Sequence, residues 1–401
     1  MNPRLALLQA YPFERLRKLF AGVTPNPAYT PISLGIGEPR HPTPQCIKQA
    51  YCDAIAQTEG LSSYPGTAGE PRLRQAIASW IGRRYGVQLN ADTQVLPVNG
   101  SREALFAIAQ TVVDPAPSAQ VAPLVVCPNP FYQIYEGAAL LAGAQPHFVP
   151  PMAARNFAPD WDSVGQPVWE RTQLLFVCSP GNPAGAVMPL SEWERLFALS
   201  DRYGFVIASD ECYSEIYFRQ DPPLGGLEAA QRLGRSDFKH LVVFSSLSKR
   251  SNVPGMRSGF CAGDASLVAR FLLYRTYHGS AMSPVVQAAS VAAWNDESHV
   301  VDNRAQYRVK FEQVTPLLAN VLDVALPDAG FYLWARVAGS DTDFARDLLA
   351  LYNVTVLPGS YLARDTDAGN PGSGRIRMAL VAPADECLEA ARRIVEFVQS
   401  R

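Results

Sequence analysis

The chain has 401 residues, of which 48% are hydrophobic and 18% charged, and 35 Lys+Arg against 37 Asp+Glu leave a formal net charge of −2. A chain of this length forms two or three domains, or one large α/β unit with a smaller partner, and needs no covalent staples. The charge balance gives no general attraction to nucleic acid or an acidic membrane, and no apolar run reaches the ~18 residues of a membrane span. Disorder, collagen, coiled coil and a small disulfide scaffold are excluded by composition. The cysteines at 46, 52, 127, 178, 212, 261 and 387 include no C-x-x-C pair and read as buried thiols in a reducing compartment. The five histidines are scattered singly, so no metal site is expected. The apolar stretch of MNPRLALLQAYPFERLRKLF is too short for a signal peptide, which points to the cytoplasm.

In chain order, the segment to about Thr30 reads as a Pro-rich arm. Thr43-Pro44 predicts an N-cap followed by proline at the first helical position. A helix follows over 71–85, with Leu73, Ile77 and Ile81 at i, i+4 spacing and Gly86 as its stop. Then short apolar runs alternate with helices: PLVVC (123–127), LLFVC (174–178), FVIAS (205–209), LVVFSS (241–246) and SGFCAG (258–263). Ser191-x-x-Glu194 reads as a capping box opening a helix that ends near Gly204. Continuous apolar strands separated by helices mean a mainly parallel sheet covered on both faces. The last third changes character. A helical stretch around 284–320, LPDAGFYLWARV, a helix near 341–352, NVTVLP and RIRMALV describe a smaller α+β domain.

Several strand ends carry chemistry. In the segment from Ser246 to Gly259, Lys249 lies just past a strand among small hydroxyl residues, with Arg257 eight positions later. Hydroxyls and an arginine suit a phosphate and the lysine suits imine formation with a carbonyl; a solvated basic turn is the alternative. Asp210 closes FVIAS, where parallel sheets bind ligands, with Tyr213 three residues on; a plain helix N-cap is the competing reading. Asn182 sits in the rigid turn Ser179-Pro180-Gly181-Asn182-Pro183, which could equally be a turn chosen for shape. Ser101 and Arg102, in Asn99-Gly100-Ser101-Arg102-Glu103, open a helix whose first N–H groups make either an anion cradle or an ordinary cap. Tyr132, in PNPFYQIYEG, is a stacking plate or core. Together these groups match one ligand: an aromatic aldehyde with a phosphate arm, a phenolic oxygen and a ring nitrogen to be protonated, which is pyridoxal phosphate.

At these residues the sequence resembles the fold-type I, class I/II pyridoxal-phosphate aminotransferases, and within them the bacterial succinyldiaminopimelate branch. The resemblance runs through ISLGIGEPRHPTP, SYPGTAGEPRLRQAI, LPVNGSREALFA, LLFVCSPGNPAGAV, FVIASDECYSEIYF and SLSKRSNVPGMRSGF to LPDAGFYLW and NVTVLPGS. It implies an aspartate aminotransferase-like fold: an arm and part of the small domain at 1–44, a large domain with a mostly parallel seven-stranded sheet at 45–285, and a small domain at 286–401. It further implies that Lys249 holds the cofactor covalently and acts as general base, that Asp210 pairs with the ring nitrogen, and that Tyr213 and Asn182 bond the phenolic oxygen. Tyr132 would stack on the ring, while Ser101, Arg102, Ser246, Ser248 and Arg257 would surround the phosphate. Tyr64 would reach the phosphate of a homodimer partner. Arg377 would clamp the substrate carboxylate, with Gly37 and Asn182 lining that site. The implied reaction is transfer from N-succinyl-LL-2,6-diaminopimelate to 2-oxoglutarate, with Arg40, Arg275 and Arg364 as candidate cations for the distal carboxylates. Another donor (aspartate, aromatic or N-acetylornithine-type) or lyase chemistry on the same cofactor is the alternative. The sequence departs from the family pattern at Ser258, at Arg375 two positions before Arg377, and at His41, where relatives carry aliphatic or aromatic residues.

Overall fold

The computed structural model describes residues 1–57, 59–115 and 121–401. The strands in chain order are β1 (Ile32–Ser33), β2 (Val95–Val98), β3 (Leu124–Pro128), β4 (Gln145–Val149), β5 (Pro151–Met152), β6 (Ala158–Pro159) and β7 (Thr172–Cys178), then β8 (Val206–Asp210), β9 (Leu241–Ser246), β10 (Gly259–Gly263), β11 (Tyr332–Arg336), β12 (Val354–Thr355), β13 (Leu357–Pro358) and β14 (Arg375–Ala379). Seven form one sheet in the order β2-β10-β9-β8-β7-β3-β4, parallel except for β10, which runs against both neighbours.

The apolar runs form strands because both sheet faces are covered. Leu175, Val177, Ile207 and Val243 face helices Pro71–Tyr85, Leu190–Tyr203 and Pro284–Asn295. Their alternates Leu174, Phe176, Ala208 and Phe244 face helices Ser101–Val112, Ile134–Ala142 and Ala265–His278. Both outer strands, β2 and β4, escape the sequence pattern because each contains a proline, Pro97 or Pro146. A proline cannot donate to a ladder and is tolerated at an edge, which is where both strands lie.

A second, antiparallel sheet, β11-β14-β13, builds its own core from Leu333, Ile376 and Met378 against Phe344, Ile394 and Phe397. Helices Ser298–Ala319, Asp341–Tyr352 and Ala384–Gln399 supply its cover. β1 pairs in parallel with β12, tying the N-terminal segment to this part of the chain. The helix over 71–85 and its left-handed stop at Gly86 lie where the periodicity places them. Three details differ from expectation. Thr43 caps nothing; its hydroxyl donates to the Asn252 carbonyl, and the helix Gln45–Ala56 begins after Pro44. Ser191 lies inside the helix Leu190–Tyr203, whose N-cap is Pro189, so there is no capping box. The stretch 284–320 is two helices, because the Asp296 carboxylate accepts from the His299 N–H and the Ser298 hydroxyl and starts a new one at Ser298.

Candidate active site

The parallel strands end at one edge of the large sheet. Because β10 reverses, its N-terminal end lies at the same edge beside the C-terminal ends of β2 and β9, with Gly259 opposite both Val98 and Ser246. Topology therefore delivers the loops after β2, β3, β7, β8 and β9, and the loop before β10, to one pocket. Lys249, Asp210, Asn182, Tyr132, Arg257 and Arg377 all line it.

Lys249 belongs to a short helix, Leu247–Arg250, that starts where β9 stops. Its Nζ donates to the Gly37 carbonyl at 2.7 Å. Burial, helped by the cations Arg377 and Arg257 and opposed by Cys212 and Glu38, pushes its ammonium down from 10.5 to about 8. The amine is thus part neutral near neutral pH, as a nucleophile or base requires.

Asp210, 5% exposed, ends β8. One carboxylate oxygen accepts from the Tyr135 hydroxyl at 2.8 Å and the other from the Cys212 N–H at 3.3 Å. Burial nonetheless raises its pKa, against those bonds and the Lys249 charge. A buried carboxylate with no cation bonded to it among the described residues suits a protonated heteroaromatic nitrogen.

The phosphate-type end is a cradle of small groups. Gly100 (φ +82) precedes Ser101, the first residue of its helix, and a Cβ at Gly100 would strike the Arg257 guanidinium. Arg257, itself left-handed at φ 55, donates to the carbonyls of Pro254 (2.8 Å) and Asn99 (3.4 Å). Ser246 Oγ donates to the Ser258 carbonyl at 2.9 Å and lies 2.9 Å from Ser248 Oγ. The Cys212 thiol donates to Ser101 Oγ at 3.0 Å. Small hydroxyls, a helix start and a guanidinium bonded, among the described residues, only to carbonyls fit an organic phosphate.

Opposite, Arg377 is 3% exposed and donates to Asn182 Oδ1 (3.1 Å) and the Gly35 carbonyl (3.0 Å), while its Nε has no partner among the described residues. Its guanidinium lies over the Tyr332 ring. Arg375, two positions earlier on the same strand, is outside this pocket and stacks on Phe157. Tyr213 Oη is 3.0 Å from Tyr332 Oη.

Other positions differ from expectation. The Arg102 guanidinium is turned from the cradle to the mouth, donating to the hydroxyls of Tyr132 (2.7 Å) and Tyr11 (3.3 Å). None of the three arginines proposed for distal carboxylates lines the pocket. Arg40 pairs with Glu386, Arg275 is buried against Glu103, and Arg364 is buried in a two-bond pair with Glu136. Tyr64 is fully exposed and outside the pocket of its own chain. Sequence reasoning missed Tyr135 and Tyr332. The only signal for Tyr135 is its position three residues after Tyr132; Tyr332 has none.

The family model described as aminotransferase class I and II matches residues 29–394. The LL-diaminopimelate aminotransferase of Nitratidesulfovibrio vulgaris is 33% identical over 400 residues, 98% of each chain. An aminotransferase structure from Neisseria meningitidis superposes with a TM-score of 0.94 at 55% identity, over 99% of this chain and all of that one. A probable N-succinyldiaminopimelate aminotransferase of Thermus thermophilus superposes with a TM-score of 0.84 at 26% identity, over 96% of this chain and 99% of that one.

Proposed function

The chain belongs to the class I and II aminotransferases, a pyridoxal-phosphate-dependent family, and on that premise we propose that it moves an amino group from N-succinyl-LL-2,6-diaminopimelate to 2-oxoglutarate. The observation that carries the aminotransferase reading is the convergence of a half-buried amine (Lys249), a buried carboxylate (Asp210) and a part-unpartnered guanidinium (Arg377) on one pocket. When bound, pyridoxal phosphate supplies a carbonyl for imine formation and an electron sink for the resulting carbanion.

The protein's own contribution divides among these side chains. Arg377 takes the donor's α-carboxylate with its planar fork, held in orientation by Asn182 and Gly35. Lys249, tethered by the Gly37 carbonyl, removes the donor's Cα proton. Asp210 holds a proton at the ring nitrogen, and Tyr135 holds Asp210. Tyr213, braced by Tyr332, would donate with Asn182 to the phenolic oxygen. Ser101, Ser246, Ser248 and Arg257 would bind the phosphate, and Tyr132 would cover the ring. Tyr64, fully exposed, would enter the site of a second copy in a homodimer. Arg102 at the mouth favours a donor carrying a further carboxylate, as the succinyl group does.

Free LL-diaminopimelate is the second reading, favoured by the name of the N. vulgaris relative. Holoenzyme assayed with each donor plus 2-oxoglutarate, following glutamate, separates the two. The proposal expects kcat/KM for the succinylated donor to exceed that for the free one by about tenfold or more. The reverse ranking overturns the substrate assignment, and turnover without any 2-oxo acid overturns the transferase reading.

A further inference from the structure

His41, a departure from the family pattern, lies outside the pocket, yet it joins a buried chain of hydrogen bonds that ends on the catalytic loop. Its Nδ1 is 2.7 Å from Asn303 Oδ1 and its Nε2 is 2.6 Å from Lys310 Nζ. An amide oxygen can only accept, so Nδ1 carries the proton and Nε2 offers a lone pair to the lysine. Asn303 Oδ1 also accepts from Asn252 Nδ2 at 3.0 Å. The Asn303 Nδ2 group donates to the carbonyls of Lys249 (3.3 Å) and Arg250 (3.4 Å). Lys310 Nζ reaches on to the Val381 carbonyl at 3.4 Å, in the segment that follows β14. His41, Asn303 and Lys310 are all buried, and the imidazole packs on the Tyr307 ring with centroids 4.5 Å apart.

We propose that His41, Asn303 and Lys310 are positioning residues: a relay that fixes the main chain of Lys249 and couples it to the segment carrying Arg377. The inference rests on the aminotransferase reading for its purpose, although the relay is defined by geometry alone. Asn303 makes four hydrogen bonds, the most its amide can form, so it can hold the Lys249 and Arg250 carbonyls in only one orientation. That orientation depends on His41 presenting a donor at Nδ1, and the tautomer in turn depends on Lys310 occupying Nε2. At the far end, Val381 follows β14, the strand on which Arg377 reaches the pocket. One set of bonds thus spans the two groups that must act on the same substrate molecule, Lys249 at Cα and Arg377 at its carboxylate. Burial, with the Lys310 charge adding and the Asn303 bond opposing, pushes the His41 imidazole down to about 4, so the ring stays neutral at working pH. Lys310 is pushed down to about 8 by burial and by Arg40, with Cys387 and Glu386 opposing. A bland core would meet the same space with an aromatic ring on Tyr307 and no polar chain.

The test uses holoenzyme carrying His41→Phe, His41→Gln or Asn303→Ala. Three quantities are read: kcat and KM, the pH midpoint of the bound cofactor's visible absorbance, and the melting temperature. Phenylalanine keeps the packing on Tyr307 and deletes both ring nitrogens; glutamine retains one donor and one acceptor. The relay predicts that His41→Phe and Asn303→Ala lower kcat by about tenfold with KM nearly unchanged and move the absorbance midpoint, and that His41→Gln recovers most of both. Should His41→Phe fail to fold, Asn303→Ala decides alone, since it removes the donors to the loop and leaves Lys310 paired. Variants that melt earlier while kcat and the midpoint stay at wild-type values overturn the relay. The midpoint needs no turnover, so a wrong amino donor leaves the relay readable.

Discussion

Replacing Lys249 with methionine should abolish turnover yet make the cofactor-free protein more stable. The lysine is half-buried and its amine is largely shielded from water, and its ammonium sits near Arg377 and Arg257; desolvation first and those charges second hold its pKa near 8 instead of 10.5. A depression of that size corresponds to about 3 kcal/mol of folding stability lost while the amine stays charged. The sign follows from proton counting. Between pH 8 and 10.5 the unfolded chain binds more protons at this site than the folded one, so stability rises with pH across that window and the penalty is full below it. Methionine fills similar volume without charge but leaves the Gly37 carbonyl without the donor it has at 2.7 Å, which returns about 1 kcal/mol. The net expectation at pH 7 is a gain of about 2 kcal/mol in the cofactor-free protein, fading to nothing or below by pH 10.5. Urea unfolding of both cofactor-free proteins at about pH 7 and about pH 10 measures it. Equal stability near neutral pH, or a difference that does not shrink as pH rises, would refute the idea that a buried charge is being held against its preference. Surviving transamination in the variant would overturn the assignment of the base.

Three further outcomes follow from the same geometry. Tyr135→Phe keeps the ring stacked on Phe176 but deletes the 2.8 Å bond to Asp210; a charge-assisted bond of about 2 kcal/mol should cost roughly 30-fold in kcat, with the variant's weakened cofactor retention read by equilibrium dialysis. Arg377→Lys keeps the charge and loses the fork, so donor KM should rise on the order of 100-fold in steady-state assays while kcat changes little; an unchanged KM would overturn Arg377 as the carboxylate clamp. Gly37→Ala places a methyl group against the Tyr332 hydroxyl, and a drop of about tenfold in kcat with intact secondary structure by circular dichroism is expected, because the Lys249 tether and the Tyr213 brace both shift.

What the sequence could show was set by the range of the interactions involved. The five central apolar runs were legible because burial on both faces leaves no polar position to interrupt them, and Lys249, Asp210 and Asn182 were legible because each sits at the end of one. The edge strands were not, since Pro97 and Pro146 are tolerated only through a sheet order that no local window contains. Tyr135 and Tyr332 meet their partners across 75 and 119 residues, where spacing carries no information. The same distance explains the misplaced arginines: Arg40, Arg275 and Arg364 looked available because Glu386, Glu103 and Glu136 lie 346, 172 and 228 residues away. His41 stood out as a departure, but its partners Asn303 and Lys310 are on a helix 262 and 269 positions later.

The arginines divide by the chemistry of what holds them, and that division explains how the pocket works as a whole. Arg40, Arg275 and Arg364 face carboxylates, so their charge is neutralised within the fold. Arg102, Arg257 and Arg377 are held only by neutral oxygens among the described residues: tyrosine hydroxyls, main-chain carbonyls and the Asn182 amide. Neutral acceptors fix direction without cancelling charge, which leaves three oriented cations lining the pocket of one half-buried amine. Such a pocket is electrostatically unfavourable on its own, and the lowered Lys249 pKa records part of that cost. A ligand that brings a phosphate and a substrate that brings carboxylates would oppose these charges, so their binding free energy would include relief of repulsion among the cations. Clustered cations complementary to anions are destabilising to the fold, and for that reason stability and affinity should move in opposite directions when any one of them is removed.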